Sequence, residues 1–298
     1  MRKSPTIGLA LGSGGARGWC HIGVIRGLEE IGVRPDVIAG TSMGALVGAA
    51  YAGGRLDALE EWVTNLTTPG FLRLMDVSLR SGGLVEARQI EVMLKDIGLP
   101  GQIEELERPF TAVATDMQTG REIWLDRGPA YPAVRGSVGI PGVMSPLKYE
   151  GRWLLDGGLT NPVPVSPLRA MGAEVLIAVN PNAKARGRIW RPKEPKPRGD
   201  TWITSVMPDG LLETLGIGPG AAPPEAKPGY FDVLSAAIDV MTETIARARM
   251  AGEPPDILLN ANFTDLTVLE LYRGAEAIAE GRRMVEAQAD RIREICEV

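Results

Sequence analysis

The chain has a single histidine, His21, in 298 residues, so any mechanism that needs an imidazole stands or falls on that side chain. Cysteine is nearly as scarce. Cys20 and Cys296 lie near opposite ends and no C-x-x-C occurs, which excludes a disulfide framework and a thioredoxin-like redox motif. An intracellular, reducing and cytoplasmic setting is the expectation. Basic blocks are missing: Lys and Arg number 32 against 37 Asp and Glu, for a formal charge of −5. Nucleic-acid binding relies on neutralising phosphates, and this composition argues against it. No apolar run is long enough to span a bilayer. The stretch after the basic Met1-Arg2-Lys3-Ser4-Pro5 is broken by Gly8, Gly12, Gly14 and Gly15, unlike a signal-peptide core. No His, Cys, Asp or Glu cluster has metal-ligand spacing, so no metal or organic cofactor is implied, and nothing argues for calcium.

Glycine, in contrast, is abundant, with 37 residues, and it marks the places where chemistry is expected. Val37-Ile38-Ala39 reads as a short strand, Gly40-Thr41-Ser42-Met43-Gly44 as a sharp turn, and Ala45 to Ala52 as a helix. Strand, serine-bearing turn and helix is the context of a G-x-S-x-G elbow. Gly40 and Gly44 flank the serine because strand and helix approach closely there. The helix N-terminus behind Ser42 favours developing negative charge.

A second glycine-rich loop, Gly12-Ser13-Gly14-Gly15-Ala16-Arg17-Gly18, joins the strand Thr6 to Leu11 to a helix spanning Trp19 to Ile31. The dinucleotide fingerprint fails in register, because the last glycine of G-x-G-x-x-G would fall on Arg17. No G-x-x-x-x-G-K-[ST] can be placed either. What remains is a nest of backbone N–H groups at a helix N-terminus, suited to an anion or an oxyanion, with a plain tight turn as the bland alternative. His21, one turn into that helix, reads as a packed or capping residue, and Cys20 as a small buried side chain.

Further helices are expected over Leu56 to Leu66 and Val85 to Ile97, and a hairpin over Phe110 to Thr115 and Glu122 to Leu125. Pro129 to Val138 reads as a short helix leading into the rigid loop Gly139 to Pro146. Trp153-Leu154-Leu155 ends in Asp156-Gly157-Gly158, a position suited to a functional carboxylate, although a turn aspartate has the same appearance. Val175 to Val179 is a buried parallel strand. Residues 181–229, rich in Pro and Gly, read as an insertion with an apolar segment, Trp202 to Leu215: a lid, a membrane contact or a packed loop. Tyr230 to Met250 is a long helix, Asp256 to Leu259 a last strand, and Leu266 to Val298 mostly helix.

If Ser42 is a nucleophile it needs a base and an oxyanion site. With one histidine, and that on a helix, Asp156 is the better base. Burial beside an apolar strand raises a carboxyl pKa toward the useful range.

The ordered set Gly14-Gly15-Ala16-Arg17-Gly18, Gly40-Thr41-Ser42-Met43-Gly44 and Asp156-Gly157-Gly158 resembles the patatin-like phospholipases in their bacterial single-domain form. The resemblance runs from about Ile7 to Asn180. It implies that Ser42 is the nucleophile, Asp156 its only partner and Gly14 to Gly18 the oxyanion loop. Ser137, Ile140, Pro141 and Pro146 resemble the family's loop beside the site, with Met144 where an aromatic is common. The implied fold is α/β, a three-layer α/β/α sandwich with a central, mainly parallel sheet, as one domain over 1–298 with a helical part at 230–298. The implied activity is hydrolysis of fatty acyl esters of lipids, with peripheral membrane contact. The alternatives are a thioesterase or small-ester esterase with the same dyad, a nucleotide-binding protein, and a non-catalytic lipid binder.

Overall fold

Three segments, Ile7–Leu11, Val37–Thr41 and Val175–Asn180, are buried at every position. A strand can be apolar throughout only when both faces of its sheet are covered, and helices supply that cover here. The computed structural model describes residues 4–67, 88–183, 230–263 and 266–298. Among the described residues the sheet has eight strands: β1 Ile7–Leu11, β2 Val37–Thr41, β3 Phe110–Asp116, β4 Glu122–Leu125, β5 Leu147–Tyr149, β6 Arg152–Asp156, β7 Val175–Asn180 and β8 Ile257–Asn260. The helices are α1 Cys20–Glu30, α2 Met43–Ala52, α3 Leu56–Thr64, α4 Arg88–Asp96, α5 Ala130–Ser137, α6 Val165–Ala170, α7 Tyr230–Gly252, α8 Gly274–Glu286 and α9 Ala289–Cys296.

The strands alternate between two apolar clusters. Leu9, Leu11, Ile38, Ile177 and Val179 pack with α1, α2, α3 and α8 on one face. Ala10, Val37, Ala39, Leu176 and Ala178 pack with Val165 and Leu168 of α6 and Ala246 of α7 on the other. Three layers result, as the sequence implies. α1 and α8 touch backbone to backbone, because a Cβ on Gly281 would lie 2.0 Å from the Cys20 carbonyl oxygen. The sheet is parallel from β3 through β2, β1 and β7 to β8, while β4, β5 and β6 join in antiparallel pairs.

One feature of the pairing builds the site. β2 pairs with Phe110 to Val113 of β3, β4 with Ala112 to Thr115, and β6 with Ala114 to Asp116. A strand has only two edges, so β4 occupies one edge, and β2 and β6 share the other. β2 and β6 therefore run toward each other along one edge of β3, and their C-terminal ends, Thr41 and Asp156, meet beside Val113 and Ala114. The sequence reading misses β5 and takes β6 for an ordinary strand of an open sheet. The irregular segment expected at 69–83 and most of the insertion at 181–229, including Trp202 to Leu215, lie outside the described residues.

Candidate active site

Ser42 sits between β2 and α2 with φ 56° and ψ −123°, a left-handed backbone that costs a serine on the order of 1–3 kcal/mol. The tightness of the turn shows in its glycines. A Cβ on Gly40 would lie 2.4 Å from the Gly44 carbonyl oxygen, and one on Gly44 would lie 2.0 Å from that of Leu11. The turn is held by Ser137 at the end of α5, whose hydroxyl accepts the Ser42 N–H at 2.8 Å and donates to the Val113 carbonyl. Thr41 donates to the carbonyl of Asn161 at 2.8 Å, fixing the other side.

The strained turn aims Ser42 Oγ at Asp156. The hydroxyl donates to Asp156 Oδ2 at 2.6 Å, and both residues are buried. The carboxylate is fixed by two backbone donors, Gly158 N–H to Oδ1 at 2.8 Å and Gly139 N–H to Oδ2 at 3.3 Å. Burial pushes the Asp156 carboxyl above the usual carboxylate range, and the bonds from Ser42, Gly158 and Gly139 oppose that shift. Gly157 is needed where the two strand ends meet, since a Cβ there would lie 2.1 Å from the Val113 carbonyl oxygen.

The glycine-rich loop crosses above the pair. The N–H groups of Ala16 and Arg17 donate to the carbonyls of Val268 and Gly14. Gly14 and Gly15, the latter at φ 53°, line the same cavity as Ser42 and Asp156. The Arg17 side chain turns away from the serine and is buried. It forms a bidentate pair with Asp239 of α7, Nη1 to Oδ1 at 2.9 Å and Nη2 to Oδ2 at 3.1 Å. It also donates to the Leu266 carbonyl and to Asn182 Oδ1. His21 is fully buried and its Nε2–H donates to the Gly12 carbonyl at 2.8 Å, bracing the loop. Burial lowers its pKa to about 4, so the ring is neutral at pH 7, and it makes no bond to Ser42 or Asp156.

Sequence reasoning brings Ser42, Asp156 and the two glycine loops to one place, and so does the structure. It misses the contribution of α7. Ile238, Asp239 and Thr242 line the cavity together with Ile140 and Pro141, and it has about 30 Å³ of room at the Ser42–Asp156 pair. The signal available was Asp239 and Thr242 at helical spacing among apolar residues that must face a core. The 140–141 loop is held by buried Arg135, which donates to the carbonyls of Val138 and Ser145. Among the described residues, no three His, Cys, Asp or Glu side chains cluster as metal ligands would, and no helix is long and apolar enough to cross a membrane.

Comparison with known proteins bears on what such an arrangement does. An uncharacterized NTE family protein of Mycobacterium tuberculosis is 37% identical over 328 aligned positions, covering 95% of this chain and 91% of the relative. A mouse patatin-like phospholipase domain-containing protein is 33% identical over 60% of this chain and 14% of its own length. A lysophospholipase of Mycosarcoma maydis is 35% identical over 59% of this chain and 10% of its own. Among solved structures, VipD from Legionella pneumophila aligns over 97% of this chain and 67% of that one, at 13% identity and a TM-score of 0.49. The pattern of the family described as patatin-like phospholipase matches residues 9–169, a span that holds the serine turn, the glycine-rich loop and the Asp156 strand end. With that match over more than half of its length, the chain belongs to the patatin-like phospholipase family.

Proposed function

We propose that the chain is a serine acyl hydrolase that cleaves fatty acyl esters of phospholipids or lysophospholipids with a Ser42–Asp156 dyad. The observation that carries this is the 2.6 Å bond from Ser42 Oγ to Asp156 Oδ2, made by a serine held at φ 56°. Asp156 takes the Ser42 proton as Oγ attacks the acyl carbonyl, then gives it to the departing alcohol. Water, deprotonated by the same carboxylate, releases the fatty acid. The N–H groups of Gly14 and Gly15 and the N-terminus of α2 oppose the oxyanion's charge, those of Ala16 and Arg17 being engaged elsewhere. Asp156 acts only when ionised, and its pKa is raised. Activity should therefore fall on acidification at a pH above the ordinary carboxyl range. The lysophospholipase among the relatives supports a lipid ester as substrate.

The same reading takes substrate from a lipid surface. Leu155 lies opposite Thr115 and Trp124 opposite Val113, so Met117, Trp124 and Trp153 fall on one sheet face, where they are 56%, 41% and 49% exposed. Tryptophan, apolar with one polar edge, suits a membrane interface.

The test is hydrolysis of a short-chain nitrophenyl ester, with fluorophosphonate labelling, by the wild type, Ser42→Ala and Asp156→Asn. Wild type should turn over and label; Ser42→Ala should do neither. Asp156→Asn should lose about 10²–10⁴-fold in kcat, the usual contribution of a positioned general base. Full activity in Ser42→Ala would overturn the reading.

A further inference from the structure

Ser13 is 6% exposed, and its hydroxyl has no hydrogen-bond partner among the described residues. Its backbone is fully engaged: its N–H donates to the Pro162 carbonyl at 2.8 Å, and its carbonyl accepts from Asn182 Nδ2 at 2.9 Å. The residue is thus locked in place while its Oγ is left over, and Ser13 lines the cavity with Ser42, Gly14, Gly15 and Asp156. An unsatisfied buried hydroxyl is costly, and a site that tolerates one is suited to supplying that bond during function. The hydroxyl lies near the carboxylate. A Cβ on Gly158 would sit 3.0 Å from both Asp156 Oδ1 and Ser13 Oγ. The two oxygens are therefore within about 6 Å, a span that one water bridges with two ordinary hydrogen bonds.

We propose that Ser13 positions the water that deacylates Ser42. The inference rests on the acyl-hydrolase reading above. The water donates one O–H to the Asp156 carboxylate and the other to Ser13 Oγ, which leaves its lone pairs directed at the acyl carbon. Its oxygen bonds to that carbon as the first proton passes to Asp156. The tetrahedral adduct then collapses, the bond from carbon to Ser42 Oγ breaks, and Asp156 returns the proton to Ser42 as the fatty acid leaves. Acylation uses no water, so Ser13 acts in the second half of the reaction alone.

The experiment is stopped-flow hydrolysis of a nitrophenyl ester by the wild type, Ser13→Ala and Ser13→Gly, with intact-mass detection of the acyl-enzyme. Loss of one hydrogen bond to the water predicts a burst of nitrophenol at near wild-type rate, then a steady state slowed about tenfold, with Ser42 found acylated. Hydroxylamine, a stronger nucleophile that does not depend on the positioned water, should restore much of the turnover. The urea midpoint of Ser13→Ala should not fall, since no protein bond is lost. Equal slowing of burst and steady state, or a steady state unchanged in both variants, would overturn the proposal while leaving the dyad intact. A wild type that neither turns over nor labels would overturn the acyl-hydrolase reading, and the role of Ser13 with it.

Discussion

The lone histidine shows how a residue can matter for a site without acting in it. His21 Nε2 holds the Gly12 carbonyl, and Nδ1 has no partner among the described residues, so only the neutral ring fits its pocket. Its pKa is lowered from 6.5 to about 4 by burial. A group with a depressed folded-state pKa favours folding fully above its unfolded pKa, and that contribution fades as pH falls through the window from about 6.5 to about 4. Complete protonation would cost about 3 kcal/mol. His21→Gln keeps an N–H donor but does not titrate. Urea unfolding at pH 7 and pH 4.5 should show the wild type losing about 2–3 kcal/mol more than this variant, on top of the acid sensitivity both share. Parallel losses would mean that the ring is not held neutral. At this scale the sequence was legible for Ser42 and Asp156, because both stand at strand ends, Ser42 between Gly40 and Gly44 and Asp156 before Gly157-Gly158. It put Ser137 in the loop beside the site but gave neither its bond to the Ser42 N–H nor that of Gly139 to Asp156, which arise from where α5 delivers them.

Among the elements, α7 is joined to the active-site loop by a buried ion pair. Arg17 and Asp239 have side chains 7% and 4% exposed, and their bidentate bond ties the glycine-rich loop to the helix above Ser42. Removing one partner of such a pair strands a buried charge, typically at about 3–5 kcal/mol. Asp239→Ala should lose that much by denaturant unfolding, and Arg17→Met added to it should recover most of the loss, because no charge then remains buried. A loss under about 1 kcal/mol in Asp239→Ala would show that α7 is held by its apolar contacts. This pair was hidden in the sequence because an aspartate on a helix usually faces water, and only the fold reveals which face is covered. β5 was hidden for a different reason. It has three residues and returns into β6 through Glu150 and Gly151, with φ 47° and 79°. Two positive φ values make this a mirror-image turn, normally announced by Asn-Gly or Asp-Gly, and glutamate in first place masks the signal. Without that hairpin, nothing in the sequence says that β6 runs against β3, the arrangement that brings Asp156 to Ser42.

At the scale of the whole molecule, the layers were legible because β1, β2 and β7 are continuous apolar runs that only a doubly covered sheet accommodates. The outer surface was not, since exposure of Trp124 and Trp153 depends on which strands lie beside them. On the proposed lipid-surface reading, that surface and the formal charge of −5 set which membrane the protein should prefer. If the protein takes substrate from a lipid surface, as proposed, an acidic molecule is repelled by anionic headgroups, and apolar contact at Met117, Trp124 and Trp153 rather than electrostatic attraction is the expected means of attachment. Binding to phosphatidylcholine vesicles should therefore vary little with salt, weaken when anionic lipid is added, and shift tryptophan emission to the blue. Replacing Trp124 and Trp153 together by Ser should abolish co-sedimentation and lower turnover of vesicle-borne ester, while hydrolysis of a soluble nitrophenyl ester stays at the wild-type rate. If the doubly substituted protein sediments with vesicles as the wild type does, this face is not the one that meets lipid. If anionic lipid instead strengthens wild-type binding in a salt-sensitive way, local cations rather than the tryptophans carry the attachment.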